Sequence, residues 1–307
     1  MRKLIVCVGE ILADMIGEEK NGSMFYEQKA GGAPFNVACA AKNFGAQVEF
    51  VGSVGDDIIG RSLISFAESR GFDGRYIFKN PKKNTTLAFV SIDKTGERSF
   101  CFFRKNTADA FIVEPPEKLL KNADIAHIGS LMLSEERGVR FVERLIGRAR
   151  KYSAKISFDV NFRSDIFKDE EEAVKIYKRI LPLADIIKFS EDETAVFGKE
   201  YIERALEDKL VFITLGSKGS RWRYKNRSGF APSVKVDCVD TTGAGDAFYA
   251  GVLSRLDNKD LSKLTDDELN GILRFANVCG ALNTRGRGAI DCLPSIREVE
   301  SVYNDIK

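Results

Sequence analysis

Histidine is nearly absent from this 307-residue sequence, in which His127 stands alone. This count excludes histidine-rich zinc sites and most Ser-His-Asp arrangements. Long apolar runs are also missing, and without a stretch of about 18 such residues no transmembrane helix is predicted. The N-terminal apolar run at 4–9 is too short for a signal peptide and ends at Glu10. It is therefore predicted to be a buried first strand.

The net charge of +2 gives no reason to expect a nucleic acid or a membrane as partner. The six cysteines are scattered and form no C-x-x-C pair. Most of them stand in apolar runs, where a free cysteine behaves as a small hydrophobic residue. We therefore expect reduced, buried thiols in a cytoplasmic protein, without a disulfide framework.

Short apolar runs alternate with amphipathic stretches along the chain. The apolar runs are rich in Ile, Val and Phe without clean alternation, which is typical of strands covered on both faces. The predicted strands are 4–9, 47–52, 125–129, 156–160, 186–189 and 211–215, and the predicted helices are 34–44, 58–69, 135–152, 170–181, 244–256 and 267–282. This alternation predicts an α/β fold with a doubly wound, mostly parallel sheet flanked by helices.

Two β-rich segments, 85–92 and 97–103, interrupt this alternation, and residues 93–96 between them are predicted to form a hairpin loop. With residues 23–29 they are expected to form a small sheet that projects from the main body. No Gly/Ser linker, repeat or low-complexity segment occurs. The sequence thus predicts one domain, 1–307, with a β-sheet lid formed by about 10–33 and 85–105; a purely structural ribbon is the alternative.

The segment D-T-T-G-A-G-D-A-F at 240–248 carries the strongest chemical signal. It follows a β-branched run at 234–239 and begins a predicted helix. A Gly-rich turn at a helix start presents free backbone N–H groups and the positive end of the helix dipole, which together bind anions. This segment is therefore a candidate phosphate site.

Within this segment, Gly243 allows a phosphate to approach the backbone closely. The N–H groups of Ala244, Gly245 and Asp246 are the candidates for stabilising a transferring phosphoryl group. A carboxylate would repel that phosphate unless it had a function there. Asp246 is therefore predicted to be the general base that accepts a proton from the attacking hydroxyl group. The alternative is a carboxylate that only interacts with the helix dipole.

A second motif stands near the N-terminus, with G-G-A-P-F-N-V-A at 31–38 and G-S-V-G-D-D at 52–57. The two motifs resemble the two signatures of the ribokinase-like (PfkB) carbohydrate kinases, in the same order, and the resemblance covers the whole chain. It implies a ribokinase-like fold and ATP-dependent phosphoryl transfer to a primary hydroxyl group of a small sugar. Magnesium is implied as cofactor, with potassium in many relatives. The resemblance also implies a lid over the sugar that forms a homodimer contact.

The family resemblance assigns the sugar-binding residues. Asp14 follows the first strand, at the edge where doubly wound sheets bind ligands, and relatives bind sugar hydroxyls with an acidic residue there. Gly31 and Gly32 let a sugar approach the backbone, and the Asn36 side chain can both donate and accept hydrogen bonds. The alternative for this segment is a helix entry with only a structural role.

Two arginines are candidates for binding substrate or phosphate, because a guanidinium group fits both phosphate and carboxylate. Arg104 ends the predicted hairpin, and Arg163 ends the run D-V-N-F-R at 159–163, which resembles a strand-end motif of fructokinases. Of the two we favour Arg163. The alternative for each is a surface ion pair of little energetic value.

The nucleotide side of the site is also assigned by resemblance. Ser190 and Glu193 stand in place of the family's N-x-x-E motif, whose glutamate orders magnesium through water, although S-x-x-E is also a structural capping box. The residues expected in the nucleotide loop are Thr214, Gly216, Ser217 and Gly219, and Asn277 is expected to contact adenine. The carbonyl group of Asp240 and groups around 282–288 are expected to bind potassium.

The sequence is most similar to the fructokinase branch, through H-I-G-S at 127–130 and K-F-S-E at 188–191. The first alternative is a 2-keto-3-deoxygluconate kinase, in which Arg104 or Arg163 would bind the substrate carboxylate. The segment F-F-R at 102–104 lacks the tyrosines of that branch. A ribose or nucleoside kinase is a further alternative. A non-catalytic ligand sensor is the alternative from outside the enzymes, but the intact Asp246 speaks against it.

Overall fold

The structure is a computed structural model that describes residues 4–92 and 98–306, so the predicted loop at 93–96 lies outside the described residues. The strands are β1 (Leu4–Val8), β2 (Leu12–Lys20), β3 (Ser23–Gly31), β4 (Val48–Gly55), β5 (Ile77–Asn80), β6 (Leu87–Ile92), β7 (Arg98–Phe103), β8 (Ala123–Ile128), β9 (Lys155–Asp159), β10 (Ile186–Ser190), β11 (Leu210–Thr214), β12 (Ser220–Tyr224) and β13 (Arg227–Ala231). Over these residues the main sheet has the order β13-β12-β11-β10-β9-β8-β1-β4-β5. All its described pairs are parallel except those made by β12.

Helices cover both faces of this sheet. They are α1 (Ala33–Asn43), α2 (Ile58–Ser69), α3 (Glu117–Asn122), α4 (Glu136–Lys151), α5 (Glu170–Ile180), α6 (Glu191–Phe197), α7 (Lys199–Ala205), α8 (Ala244–Leu256), α9 (Asp266–Asn283) and α10 (Ile296–Asp305). The predicted α/β fold is confirmed, and the predicted strands and helices agree with these bounds to within three residues. The sequence analysis missed the strands β2, β5, β12 and β13.

Alternate side chains of each central strand enter different hydrophobic cores. In β1, Ile5 and Cys7 pack with residues of α1, α8 and α9, whereas Val6 and Val8 pack with residues of α4 and α5. All four are fully buried. This two-sided burial explains why the sequence runs are apolar without alternation. It also places α1 and α8, which carry the two motifs, on the same side of the sheet.

The second sheet has the order β3-β2-β6-β7 and contains the segments predicted to form the lid. β2 and β3 form a hairpin whose two-residue turn is Asn21-Gly22, with φ angles of 54° and 72°. Positive φ at both positions is typical of a type I′ turn, which matches the right-handed twist of the strands. β6 continues this sheet by pairing in parallel with β2. The lid is thus built from two hairpins that are distant in sequence.

A small apolar cluster connects the lid to the main body. Leu12 and Ala88 from the lid and Leu131 from the segment after β8 are buried together. Phe102 and Ile166 pack against them. Side chains alternate between the two faces of a sheet, so the lid face that carries Phe102 is turned toward the main body.

His127 lies inside the main sheet, as expected of a structural residue. It is buried, its Nδ1 lies 3.1 Å from Ser157 Oγ, and Ser157 Oγ donates to the Tyr249 hydroxyl group (2.8 Å). Burial, followed by the charge of Lys188, lowers the pKa of His127 to about 3. The imidazole is therefore neutral at ordinary pH.

The expectation of buried thiols is partly wrong. All six cysteines are free, but Cys101 and Cys238 are exposed because they lie on the lid and at the cavity rim. The β-branched run at 234–239 forms no strand. Within 4–92 and 98–306, no helix is long and apolar enough to cross a membrane.

Candidate active site

A cavity of about 800 Å³ lies where the carboxyl ends of β1, β9 and β10 face the lid. This is the edge at which doubly wound sheets bind ligands, and the volume is typical of a small-molecule site. The predicted residues that line it are Asp14, Gly32, Asn36, Arg163, Asp240, Gly243, Gly245 and Asp246. The two family motifs, which stand about two hundred residues apart in the sequence, therefore meet in one cavity.

The start of α8 forms one wall of the cavity. Gly243 is its N-cap with a φ of 76°, and a Cβ atom there would lie 2.6 Å from the Cα of Ala289. Only glycine fits both the left-handed conformation and this close approach. The Ala244 N–H group donates to the Thr241 carbonyl oxygen (3.1 Å), so it is already engaged.

The next two N–H groups of this turn, those of Gly245 and Asp246, have no acceptor in the described chain. They belong to the first turn of a helix, where backbone donors lack intrahelical partners. The predicted anion-binding turn is thus reduced from three N–H groups to two. The helix dipole adds positive potential at the same point.

Asp246 is held by a hydrogen bond from α1. Asn36 Nδ2 donates to Asp246 Oδ2 at 2.8 Å, and Asn36 is itself buried. Burial raises the pKa of Asp246, while the Asn36 hydrogen bond and the charges of Lys188 and Arg163 act in the opposite direction. A carboxylate with a raised pKa is a stronger base than a solvated one. The geometry therefore suits proton abstraction.

Asp240 shapes the turn before α8 with its side chain. Its Oδ1 accepts from the Thr242 N–H (2.9 Å) and hydroxyl groups (2.7 Å), and its Oδ2 accepts from the Gly288 N–H group (2.8 Å). In the predicted potassium segment, the carbonyl oxygens of Asn283 and Gly288 converge on Cys292 Sγ, at 3.0 and 2.6 Å. A potassium site there stays a prediction.

The glycine pair at the end of β3 is required by close contacts. A Cβ atom on Gly31 would lie 2.2 Å from Asp14 Oδ2, and one on Gly32 would lie 2.5 Å from the Glu10 carbonyl oxygen. Gly32 also has a φ of 109°, which side-chain-bearing residues rarely adopt. Both glycines therefore let Asp14 and Glu10 approach the cavity floor.

The two candidate arginines have different environments. Arg163 is exposed at the cavity wall and pairs with no carboxylate of the described chain. Arg104 is buried and lies outside the cavity lining: its Nε donates to Asp109 Oδ2 (2.6 Å) and its Nη1 to Ser134 Oγ (2.5 Å). Its Nη2 has no partner in the described chain, so the substrate contact of Arg104 stays a prediction.

Lys188 is a site residue that the sequence analysis did not identify. Its Nζ donates to both oxygens of Asp159, at 2.8 and 2.9 Å, and it lines the cavity. Burial lowers its pKa, but the charges of Asp159, Glu193 and Asp246 raise it above the usual range. A Cβ atom on Gly245 would lie 3.4 Å from the Nζ, so the ammonium group stands beside the anion-binding turn.

Glu193 and Ser190 form the capping box of α6. Glu193 N–H donates to Ser190 Oγ (3.2 Å), and Ser190 N–H donates to Glu193 Oε2 (2.6 Å). Glu193 Oε1 accepts from the Phe162 N–H group (2.7 Å). The capping box, which was the structural alternative for these two residues, is thus present, and Glu193 connects the ends of β9 and β10. Each carboxylate oxygen keeps a second lone pair, so a magnesium role through water stays a prediction.

The expected nucleotide residues lie beside this cavity but do not line it. The loop with Thr214, Gly216, Ser217 and Gly219 follows β11, which pairs with β10. Asn277 is buried, its Oδ1 accepts from Ser220 Oγ (2.6 Å), and its Nδ2 donates to the carbonyl oxygens of Ala231 and Pro232 (3.0 and 3.1 Å). Its amide group is thus hydrogen-bonded inside the protein, and the adenine contact of Asn277 stays a prediction.

Glu10 is the second site residue that the sequence analysis did not identify as one. It lines the cavity with 1% of its surface exposed, and neither carboxyl oxygen has a hydrogen-bond partner in the described chain. Burial raises its pKa to about 8. The backbone N–H group of Glu10 and the charge of Arg104 lower this value, and the charges of Asp109 and Asp246 raise it. Its protonated form is therefore favoured at neutral pH.

This raised pKa makes stability depend on pH. An unfolded glutamate releases its proton near pH 4.3, whereas folded Glu10 keeps it up to about pH 8. Between these values the folded state binds the additional proton, so the free energy of unfolding falls as pH rises, by up to about 1.4 kcal/mol per pH unit. Glu10→Gln removes this loss.

We predict that Glu10→Gln is more stable than the wild type, by a margin that grows by about 2 kcal/mol from pH 5 to pH 7. Urea unfolding at the two pH values measures this margin. Glu19→Gln, at an exposed position of β2, is the control and should follow the wild type. An equal margin at both pH values would contradict the raised pKa of Glu10.

Known proteins resemble this chain over its full length. The pfkB family of carbohydrate kinases matches residues 2–296. Probable fructokinase-7 of Arabidopsis thaliana is 36% identical over 323 aligned residues, which cover 99% of this chain and 93% of that protein. A fructokinase from Xylella fastidiosa with bound ATP superposes with a TM-score of 0.92 at 29% identity, covering 100% of this chain and 99% of that one.

A fructokinase double mutant from Vibrio cholerae O395, with fructose, ADP and a potassium ion bound, has a TM-score of 0.86 at 28% identity and covers 98% of each chain. These likenesses agree with the two motifs that meet in the cavity. The chain belongs to the pfkB family of carbohydrate kinases.

Proposed function

We propose that this carbohydrate kinase transfers the γ-phosphoryl group of ATP to a primary hydroxyl group of fructose. The observation that carries the proposal is the hydrogen bond from Asn36 to Asp246, which fixes a carboxylate at the start of α8 and at the cavity wall. The fructokinases of Xylella and Vibrio, with bound ATP and bound fructose, support the choice of substrates.

The charges of the cavity favour a neutral sugar over a sugar acid. Arg104, one candidate for binding a substrate carboxylate, is paired with Asp109. Asp14 and Asp246 bring carboxylates to the lining, where they would repel a third. The cations of the lining are Arg163, Arg287 and Lys188, of which Lys188 is paired with Asp159. We propose that they act on phosphate. These observations disfavour 2-keto-3-deoxygluconate as the acceptor.

In the proposed mechanism, Asp246 accepts the proton of the attacking hydroxyl group. Asn36 holds Asp246 Oδ2, which leaves Oδ1 to receive that proton. Because the hydrogen bond comes from the start of α1, sugar binding beside Gly32 and proton abstraction are coupled through one helix. The lid excludes water, which limits transfer of the phosphoryl group to water.

Hydrogen-bond donors and cations of the cavity can stabilise the negative charge that develops on the phosphoryl group during transfer. The free N–H groups of Gly245 and Asp246 face it, and the Lys188 ammonium group stands beside Gly245. Arg163 supplies a further charge from the wall. Such preorganised donors act strongly in a cavity that excludes water. Magnesium neutralises the phosphate charge of ATP when it is bound, and Glu193 is the carboxylate that we propose orders its waters.

The remaining predictions concern the nucleotide, the cation and the location. We propose that ATP lies along the loop that contains Gly216 and Gly219, next to the cavity at the end of β11. A potassium ion is proposed near the carbonyl groups of Asp240 and 282–288, where two carbonyl oxygens converge. A cytoplasmic location stays a prediction.

We predict a clear preference for fructose when ADP release from Mg-ATP is measured. The panel contains fructose, 2-keto-3-deoxygluconate, ribose, glucose and adenosine, each with potassium and with sodium. A potassium-dependent rate on fructose supports the proposal and the cation site. A preference for the keto acid would contradict the charge argument, and no activity on any sugar would contradict the assignment of fructose.

Asp246→Asn should lower kcat by at least about 100-fold, the lower end of the contribution of a general base. KM for fructose should change little, because the amide keeps the shape of the carboxylate. Asp267→Asn, in the first turn of α9, is the control for a carboxylate that only interacts with a helix dipole. Asp246→Asn turnover within a few-fold of the wild type would rule out proton abstraction by Asp246.

The outer face of the lid supports a homodimer. Tyr26, Phe89 and Phe103 pack edge to face, with ring centroids 5.1 and 5.2 Å apart along the row. Phe103 is 59% exposed and the adjacent Met24 is 54% exposed. A contiguous apolar patch of this kind marks an interaction surface. We propose that a second copy of the chain covers it.

Phe103→Lys is predicted to convert the dimer into a monomer at micromolar concentration, because it buries a charge in the proposed interface. Light scattering coupled to size exclusion measures the mass. Phe230→Lys, at a 52% exposed phenylalanine of β13, is the matched control. A monomeric wild type, or a Phe103→Lys dimer, would contradict the proposed interface.

A further inference from the structure

Glu10 has no function in the phosphoryl-transfer mechanism described above. Its carboxyl group is buried in the cavity lining, and both oxygens lack hydrogen-bond partners in the described protein. Buried polar groups are nearly always hydrogen-bonded, because an unpaired one costs stability. A partner that enters the cavity would remove this cost.

The surroundings of Glu10 keep space open for such a partner. Gly129 ends the segment after β8, and a Cβ atom there would lie 2.8 Å from Glu10 Oε2. A Cβ atom on Gly32 would lie 3.3 Å from Glu10 Cγ. Two backbone segments therefore approach the carboxyl group without side chains of their own. The charge of Arg104 reaches Glu10, but Arg104 Nε and Nη1 donate to Asp109 and Ser134, and Arg104 makes no hydrogen bond to Glu10 in the described chain.

A second unsatisfied atom lies in the same lining. Asn36 Oδ1 is buried without a partner, although the Nδ2 of the same side chain holds Asp246. The cavity thus presents unsatisfied polar groups from both β1 and α1, close to the base. A ligand with several hydroxyl groups satisfies them together, because each hydroxyl group both donates and accepts.

We propose that Glu10 is a specificity residue that hydrogen-bonds to a non-reacting hydroxyl group of the sugar. This inference rests on the proposed sugar-kinase function and deepens it by naming the substrate class: a neutral polyhydroxy compound. A protonated carboxyl group offers one donor and one acceptor, as a hydroxyl group requires.

A recognition role and a structural role of Glu10 predict opposite effects of its replacement on the stability of the protein. Replacing a structural residue in a buried position lowers stability. Replacing an unpaired buried carboxyl group by an apolar chain of similar length removes a cost and keeps or raises stability. Glu10→Met is therefore expected to unfold at the same or a higher temperature than the wild type, while its sugar recognition is impaired.

The test compares wild type, Glu10→Gln and Glu10→Met with fructose and with analogues that each lack one hydroxyl group other than the reacting one. Steady-state kinetics gives kcat and KM. Glu10→Met should lose roughly 10- to 100-fold in kcat/KM on fructose, mostly through KM, the scale of an unpaired hydrogen-bonding group. Glu10→Gln, which still donates and accepts, should stay within a few-fold of the wild type.

The deoxy analogues test direct contact. On the analogue that lacks the contacted hydroxyl group, wild type and Glu10→Met should have similar kcat/KM values, whereas on the others the loss persists. An equal loss on every analogue would overturn the inference, because it would show an indirect effect on the cavity. Unchanged kinetics of Glu10→Met on fructose would overturn it as well.

Different results would contradict the assignment of fructose and the role of Glu10. If the wild type does not phosphorylate fructose but does phosphorylate another sugar of the panel, the assignment of fructose fails. The same variants are then compared on the accepted sugar and its deoxy analogues. If the wild type phosphorylates fructose and the variants show no hydroxyl-specific loss, the inference about Glu10 fails alone.

Discussion

The hydrogen bond between Asn36 Nδ2 and Asp246 Oδ2 joins the two halves of this site. α1 begins at the glycine pair that we propose binds the sugar, and α8 begins at the turn that we propose binds the phosphate. The two helices pack side by side on one face of the sheet, so their starts meet at the same edge. One 2.8 Å contact thereby fixes the base relative to both substrates, which positional catalysis requires.

Much of this arrangement was predictable from the sequence because its signals are local. A glycine-rich turn before a helix specifies an anion site whatever surrounds it, and Gly243 is indeed the left-handed N-cap of α8. The alternation of buried strands and amphipathic helices likewise fixed the layers of the fold. The β2–β3 hairpin also has a local signal, since Asn21-Gly22 is a strong type I′ turn sequence.

The partners of charged side chains were not predictable, because they come from segments distant in sequence. Arg104 donates to Asp109, and Asn277 is hydrogen-bonded to Ser220 and two carbonyl groups. Lys188 was predicted only as part of a strand, yet it is paired with Asp159 and lies beside Gly245 at the start of α8. Sequence patterns give the type of a side chain, whereas tertiary contacts decide whether its charge is free to act.

Two carboxyl groups in one cavity illustrate this rule. Burial raises the pKa of both, but Asp246 has an amide donor and two nearby cations that favour its ionised form. Glu10 has no side-chain hydrogen-bond donor in the described chain, and its own backbone N–H group and the charge of Arg104 do not offset its burial, so its neutral form is favoured. Enzymes divide roles between acidic groups by such differences in surroundings. Here the donors around Asp246 suit a carboxylate that accepts a proton, and the neutral Glu10 suits hydroxyl recognition, because a protonated carboxyl group both donates and accepts.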